Sequence, residues 1–373
     1  MRLLISRGAL AAALLSSLAA ATPAAAEPPP MGMHFIDVGQ AEAAAAAPAI
    51  AATPVPASPI ETHVLAAQPL CEASAILTAP WDAKLDLVAD NEIDDQLYGF
   101  DLAKGVPEPK QIVQMPAKHQ PEDIEALARL GDELVVVGSH SRNRNCERQT
   151  DRQRIRRLKA RQDGTVEEAG FLDSKPAWQQ AMEHDGAQCL STLFIAPPPA
   201  KAAEVCRAFV AAEKRAEQHD GPCETLNVEG AVGTADGRLW LGLRAPLAEN
   251  RAILLRLVEG VPRLQFDRVV LLDLEGRGIR DLALAGDQLY GLAGPQEDSV
   301  APFALFRGAA ALLGGGATAV EILRRDLETS SEGLLVRGKR AFVVVDGDEP
   351  AKGDRTGVCT SPARWYTIEL PDV

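Results

Sequence analysis

The chain has 373 residues, 38 Lys plus Arg against 52 Asp plus Glu, 46% hydrophobic residues, 4% aromatics and six cysteines. That is enough for one large domain or two ordinary ones. A formal charge of −14 repels nucleic acid and anionic lipid over most of the surface and excludes both as general partners.

Residues 1–26 carry Arg2 and Arg7, an apolar run from Ala9 to Ala21 and the small-residue end Ala24-Ala25-Ala26. This pattern reads as a cleavable export signal, too short to span a bilayer comfortably. No later stretch is long and apolar enough for a membrane helix, so the expectation is a soluble periplasmic or secreted product without membrane insertion. In such a compartment six cysteines permit three disulfides, in 15 formal pairings.

Residues 27–60 are dominated by Ala and Pro, without alternation or an amphipathic face, and read as a disordered linker. Within it MHFIDVGQAEA (Met33 to Ala43) resembles the opening strand of secreted metallo-β-lactamase-fold hydrolases. That fold needs a downstream HxHxDH metal motif, whereas His34, His63, His119, His140, His184 and His219 are all isolated.

From residue 61 to 373 the informative feature is an internal repeat. Five segments share an acidic residue, a small or apolar stretch, a tight turn and a β-rich run. They are CEASAILTAPWDAKLDLVADN from Cys71, DIEALARLGDELVVVGSH from Asp123, NVEGAVGTADGRLWLGLRAP from Asn227, GIRDLALAGDQLYGLAGP from Gly278 and SSEGLLVRGKRAFVVVDGD from Ser330. Their acidic positions, Glu72, Glu125, Glu229, Asp281 and Glu332, are 53, 104, 52 and 51 residues apart. Turns such as Gly131-Asp132, Asp236-Gly237 and Gly286-Asp287 suit hairpins. Third strands follow in QLYGFDL, RQRIRRLKA, AILLRLV, FALFRG and WYTIEL, and fourth strands in QIVQM, EEAGFL, DRVVLLDL and AVEILRRDL.

Four strands about every 50 residues describe a blade of an all-β propeller. The last unit lacks a fourth strand, and ETHVLAA, ahead of the first unit, is placed to supply it and close the ring. The double-length gap admits a degenerate sixth blade or an insertion. Residues 174–224 contain APPPAKAAEVCRAFVAAEKRAEQ, with Val205 and Phe209 four apart after a proline run, which suits helix. The preferred reading is five blades with a helical insertion after the second.

The strings NVEGAVGTADGRLWLGLRAPL, GRGIRDLALAGDQLYGLAGP and DIEALARLGDELVVVGSHSRN resemble the repeats of an uncharacterised bacterial family, domain of unknown function 3616, from about Glu72 onward. That resemblance implies no assigned reaction. Acidic residues opening inner strands are also similar to those of calcium-dependent propeller hydrolases of the lactonase and phytase-like kinds, a likeness of architecture.

In a propeller the first strand of each blade lines the channel, so Glu72, Glu125, Glu229, Asp281 and Glu332 are expected around one mouth. Such a ring of oxygens suits a hard cation such as Ca²⁺. The preferred alternative is that each carboxylate accepts backbone N–H bonds from the next blade and sets its spacing. The second strands end at the same mouth with unlike residues: Asn91, Ser139 and His140, Arg244, and Asp346. These are the candidate ligand-binding positions, with His140 as general base and Arg244 as anion clamp. The alternatives are loop capping by His140 and pairing of Arg244 with a ring carboxylate. The run Arg142, Arg144, Arg148, Arg152, Arg154, Arg156, Arg157, Lys159 and Arg161 reads as a solvated loop and edge strand, with phosphate binding as the alternative.

Circular closure makes Cys71 and Cys359 neighbours, and Cys146 sits in a turn beside the insertion that carries Cys189, Cys206 and Cys223. The expected bonds are Cys71 with Cys359 and Cys146 with an insertion cysteine, the pairing inside the insertion staying open. The functional reading is a ligand-binding or interaction module for a small molecule or protein, using the channel-mouth face. The alternative is a cation-dependent hydrolase of phosphate esters or lactones.

Overall fold

A computed structural model of the chain describes residues 60–66, 70–143, 145–182, 186–218, 223, 226–260, 263–296, 302–315, 319–347 and 359–372. The export signal, nearly all of the Ala/Pro-rich linker with its MHFIDVGQ island, and His184, His219 and Arg144 lie outside the described residues.

Among the described residues, twenty strands form five antiparallel four-stranded sheets. After β1 (Thr62–Val64), blade I holds β2 (Ala73–Thr78), β3 (Asp86–Asp90), β4 (Gln96–Phe100) and β5 (Gln111–Gln114). Blade II holds β6 (Ile124–Leu130), β7 (Glu133–Gly138), β8 (Arg154–Ala160) and β9 (Val166–Asp173). Helices α1 (Lys175–Met182), α2 (Gly186–Leu193) and α3 (Ala202–Glu217) follow it. Blade III holds β10 (Asn227–Gly233), β11 (Leu239–Ala245), β12 (Ala252–Leu257) and β13 (Phe266–Leu272), and blade IV holds β14 (Gly278–Ala285), β15 (Gln288–Gly294), β16 (Phe303–Ala309) and β17 (Val320–Leu327). Blade V holds β18 (Ser331–Arg337), β19 (Arg340–Val345) and β20 (Arg364–Glu369), completed by β1, whose Thr62 pairs with Tyr366. Strands β2, β6, β10, β14 and β18 touch in cyclic order, so the chain is a five-bladed β-propeller closed by its N-terminal strand.

Burial explains which residue types fall on which strand. Strands β10 and β11 are packed on both faces and read NVEGAVG and LWLGLRA, apolar apart from Asn227, Glu229 and Arg244. The outer strand β9, VEEAGFLD, alternates in exposure, with Glu167, Ala169 and Phe171 outward and Glu168 half-buried. Each cluster of buried side chains lies between neighbouring sheets, as where Ile279 and Leu282 of blade IV pack on Trp240 and Leu254 of blade III.

The double-length gap holds the helices. Their apolar faces cover blades II and III: Trp178 of α1 sits with ring centroids 5.4 Å from Phe209 of α3 and 5.7 Å from Phe266 of β13. Cys189 is bonded to Cys206 within the insertion, Cys146 to Cys223, and Cys71 to Cys359 across the closing point of the ring. The expectation had Cys71 with Cys359 and Cys146 with an unspecified insertion cysteine, and it left the pairing inside the insertion open.

Candidate functional site at the channel mouth

Every inner strand carries a bulge near its start, where one extra residue interrupts the pairing with the second strand. The bulged residues are Ser74, Glu125, Glu229, Arg280 and Glu332. A bulge re-aims a side chain, and here the five fall at equivalent places in the five blades. The expected ring is therefore corrected at two positions. In blade I, Glu72 precedes β2 and the bulge residue is Ser74, whose hydroxyl donates to the Ile124 carbonyl of the next blade. In blade IV, Asp281 follows the bulge residue Arg280.

Asp281 is buried, and its carboxylate accepts the backbone N–H groups of Leu282 (2.7 Å) and of Leu334 in blade V (2.6 Å). Burial pushes its carboxyl well above the usual range against these two bonds, and the Glu332 and Glu229 charges add to the rise. It links two blades, the role preferred for all five acids from the sequence but carried out in this way by Asp281.

The other acids meet arginines. Glu229, 2% exposed, accepts Nη1 of Arg244 at 3.0 Å and the Asn227 amide at 2.9 Å, and its second oxygen lies 3.1 Å from Nη1 of Arg280. Arg280 reaches across to Glu332 at 2.9 and 3.1 Å, donates to the Pro295 carbonyl and lies over the Phe303 ring. Arg244 also donates to Pro295 at 3.3 Å. Gly278 permits this arrangement, since a Cβ there would stand 1.9 Å from the Arg244 carbonyl oxygen. Arg244 thus pairs with a ring carboxylate, the alternative to an anion clamp. Burial raises the Glu332 carboxyl, opposed by Arg280.

Glu125 is different. It is partly exposed to the channel, and among the described residues its carboxylate makes no hydrogen bond or ion pair. Its pKa is raised well above the usual carboxylate range by burial, then by the charges of Asp123, Glu229 and Glu332, with Arg244 opposing. Next to it Asp123, at φ 56° in the left-handed region, lies 2.7 Å from Arg152 and accepts from Ser141 at 3.3 Å. Burial raises the Asp123 carboxyl against Arg152, and the Glu229 charge acts on it too. Asp123, Glu125, Glu229, Asp281 and Glu332 therefore form one electrostatic neighbourhood, opposed by Arg152, Arg244 and Arg280.

Of the divergent second-strand ends, Ser139 belongs to this rim, its hydroxyl 2.8 Å from that of Ser141. Its carbonyl accepts Val228 N–H of blade III at 2.7 Å. Asn91 and Asp346 follow β3 and β19, bound through their backbone N–H groups to Glu72 and Ser330. His140 does not reach the channel. It is 1% exposed, its Nδ1 lies 2.7 Å from the Gly138 carbonyl, and its ring stands edge-on to Trp178 at 6.2 Å. Burial pushes its pKa down to about 4. The expectation of a general base at this position is corrected: the helical insertion covers it.

Two contributors, Arg280 and Asp123, were missed because the repeat was aligned on acidic residues. Alignment on the apolar residue two places past the bulge (Ile76, Leu127, Ala231, Leu282 and Leu334) finds Arg280. In the basic run, Arg142 and Arg148 both contact buried Glu213 of α3, Arg157 joins Glu133 and Glu259, and Arg156 is fully buried 3.3 Å from Glu168. Among the described residues of the run, Arg142 to Arg157 are ion-paired where a solvated face was expected, whereas Lys159 and Arg161 are exposed as expected. Among the described residues no group of three or more His, Cys, Asp or Glu side chains is arranged to hold a metal ion, and no helix is long and apolar enough to cross a membrane.

No curated protein matches the chain. Solved structures with a similar course include hydrazine synthase from Kuenenia stuttgartiensis (11% identity, TM-score 0.35, 74% of this chain and 56% of that one). A hypothetical protein from Leishmania major matches at 12% identity and TM-score 0.41, over 83% of this chain and 90% of that one. An auxiliary nutrient binding protein from Bacteroides thetaiotaomicron matches at 9% identity and TM-score 0.35, over 80% and 53%. The chain thus spans little more than half the length of the first and third. Over residues 94–167 and 221–328, which hold most of blades II to IV, the chain matches the family described as “Protein of unknown function (DUF3616)”.

Proposed function

We propose that this is an exported binding module whose channel mouth recognises a small organic cation, such as an amine. The observation that carries the reading is Glu125, a carboxyl without a partner among the described residues in a neighbourhood of five acids against three arginines. A cationic group beside Glu125 favours its ionised form, so binding expels a proton wherever the free carboxyl is protonated. The already paired Glu229, Arg244, Arg280 and Glu332 give that cation a fixed wall, with no reorganisation needed on binding. Export rests on the N-terminal pattern and fits a chain whose six cysteines all form disulfides.

Calorimetric titration of the disulfide-bonded protein with small amines, in two buffers of different ionisation enthalpy, tests this. Saturable binding with proton release is expected, lost in a folded Glu125→Gln variant. Binding unchanged in that variant, or no binding at millimolar amine, overturns it. Stoichiometric Ca²⁺ with turnover of phosphate esters or lactones would establish the hydrolase reading in its place.

A further inference from the structure

The inner strands change character below the bulge. From two residues past it, residues of all five blades line a cavity in the channel, of about 410 Å³, with Ile76, Leu127, Leu282, Leu334 and Val336 among its walls. That volume suits a small molecule, and the side chains around it are mostly apolar, with backbone groups of the inner strands between them. Among the described residues the lining holds no Asp, Glu, Lys or His, and Arg129 is its single charged residue.

Arg129 stands two residues past Leu127 on β6, about 7 Å further along the strand at 3.3 Å per residue. It is exposed and tethered at one point, where Nε donates to the Gly131 carbonyl at 2.8 Å. That bond fixes the guanidinium at the rim of the cavity and leaves Nη1 and Nη2 without an acceptor among the described residues. Gly233 on the neighbouring strand lets the two backbones close here, since a Cβ would lie 1.9 Å from the Arg129 carbonyl oxygen. A guanidinium with two free nitrogens matches a carboxylate in bidentate fashion. The cavity behind it offers apolar contact and no competing charge.

We propose that the lower channel binds a small amphipathic carboxylate, its hydrocarbon part among the inner-strand side chains and its carboxylate on Arg129. This site is separate from the mouth, where the excess charge is negative and repels carboxylates.

Octanoate, 1-octanol and octylammonium share a tail and differ in head group, so titrating each into the disulfide-bonded protein separates tail from charge. Octanoate is expected to bind saturably and to outbind octanol by roughly tenfold or more, the worth of one charge-assisted contact. Arg129→Gln alters an exposed side chain; it should abolish this preference and leave octanol binding unchanged. Ala283→Phe, which enlarges a residue of the lining, should weaken all binding, with circular dichroism confirming that both variants fold. The proposal is overturned if octanoate fails to saturate at millimolar concentration, if Arg129→Gln binds it within twofold of the parent, if octylammonium binds as tightly to Glu125→Gln protein, whose mouth no longer takes an amine, or if folded Ala283→Phe binds octanoate normally.

Discussion

Replacing Glu229 by Gln removes one negative charge from between two arginines that are 8% and 4% exposed. Breaking a buried pair by removing one partner costs about 3–5 kcal/mol when the other is left uncompensated. Here compensation is partial. Arg280 keeps Glu332 at 2.9 Å and the Pro295 carbonyl at 3.1 Å, and the glutamine oxygen still accepts from Arg244. The cost should therefore fall to that of a lost charge-assisted bond, about 2–3 kcal/mol. Urea unfolding followed by tryptophan fluorescence measures it, and Arg280→Gln alone and in combination completes a double-mutant cycle. A coupling of about 1–3 kcal/mol is expected for groups in one network. Glu229→Gln within about 0.5 kcal/mol of the parent would refute the reasoning, because the surface range would then apply to a buried site.

Removing the Cys71–Cys359 bond by paired serine substitutions releases a loop of 288 residues, worth on the order of 5 kcal/mol in the chain-entropy model. Thermal unfolding should show a large loss, and a variant melting like the parent would mean that β1 closes the ring alone. Trp178→Ala should cost about 3–5 kcal/mol and expose His140, read as a rise of the histidine pKa by NMR; an unchanged titration would show that the insertion does not shield it. For His140 itself, the folded pKa near 4 lies below its ordinary 6.5, so the unfolded chain binds the extra proton between them. Stability from this residue is present above pH 6.5 and is lost as pH falls toward 4, by about 3 kcal/mol. The parent should lose that much relative to His140→Asn over this window, Asn tolerating the left-handed φ of 62°; parallel pH curves would contradict it.

The ring was legible in the sequence because a blade repeats a length, and lengths survive when residues change. Circular closure followed from the same count, since a final unit one strand short needs a strand from elsewhere. The register within the ring was not legible. Bulges insert one residue without any compositional mark, so Glu72 and Asp281 stood in for Ser74 and Arg280. Acid type was the wrong key: the apolar residue two places on fills the same space in every blade, whereas the bulge position is free to vary. His140 was misplaced for another reason. The ring that buries it belongs to Trp178, 38 residues later, and no local pattern reports such a cover.

That freedom to vary decides where specificity can reside. Five identical acids at the bulge would repel one another, and each would need its own cation or proton. The sequence Ser, Glu, Glu, Arg, Glu around the ring resolves this unequally. Arg280 serves both neighbours, Glu229 and Glu332, and Arg244 adds a second contact to Glu229. Among the described residues nothing comparable reaches Glu125, because the nearby Arg152 is engaged by Asp123 and blade I contributes only a serine hydroxyl, committed to Ile124. The blade II side of the mouth therefore holds the uncompensated carboxyl, while the blade IV side holds a closed ion-pair network. Ligand affinity should accordingly respond to Glu125, and fold stability to Glu229 and Arg280; the two substitutions Glu125→Gln and Glu229→Gln, isosteric at equivalent bulges, separate binding from folding.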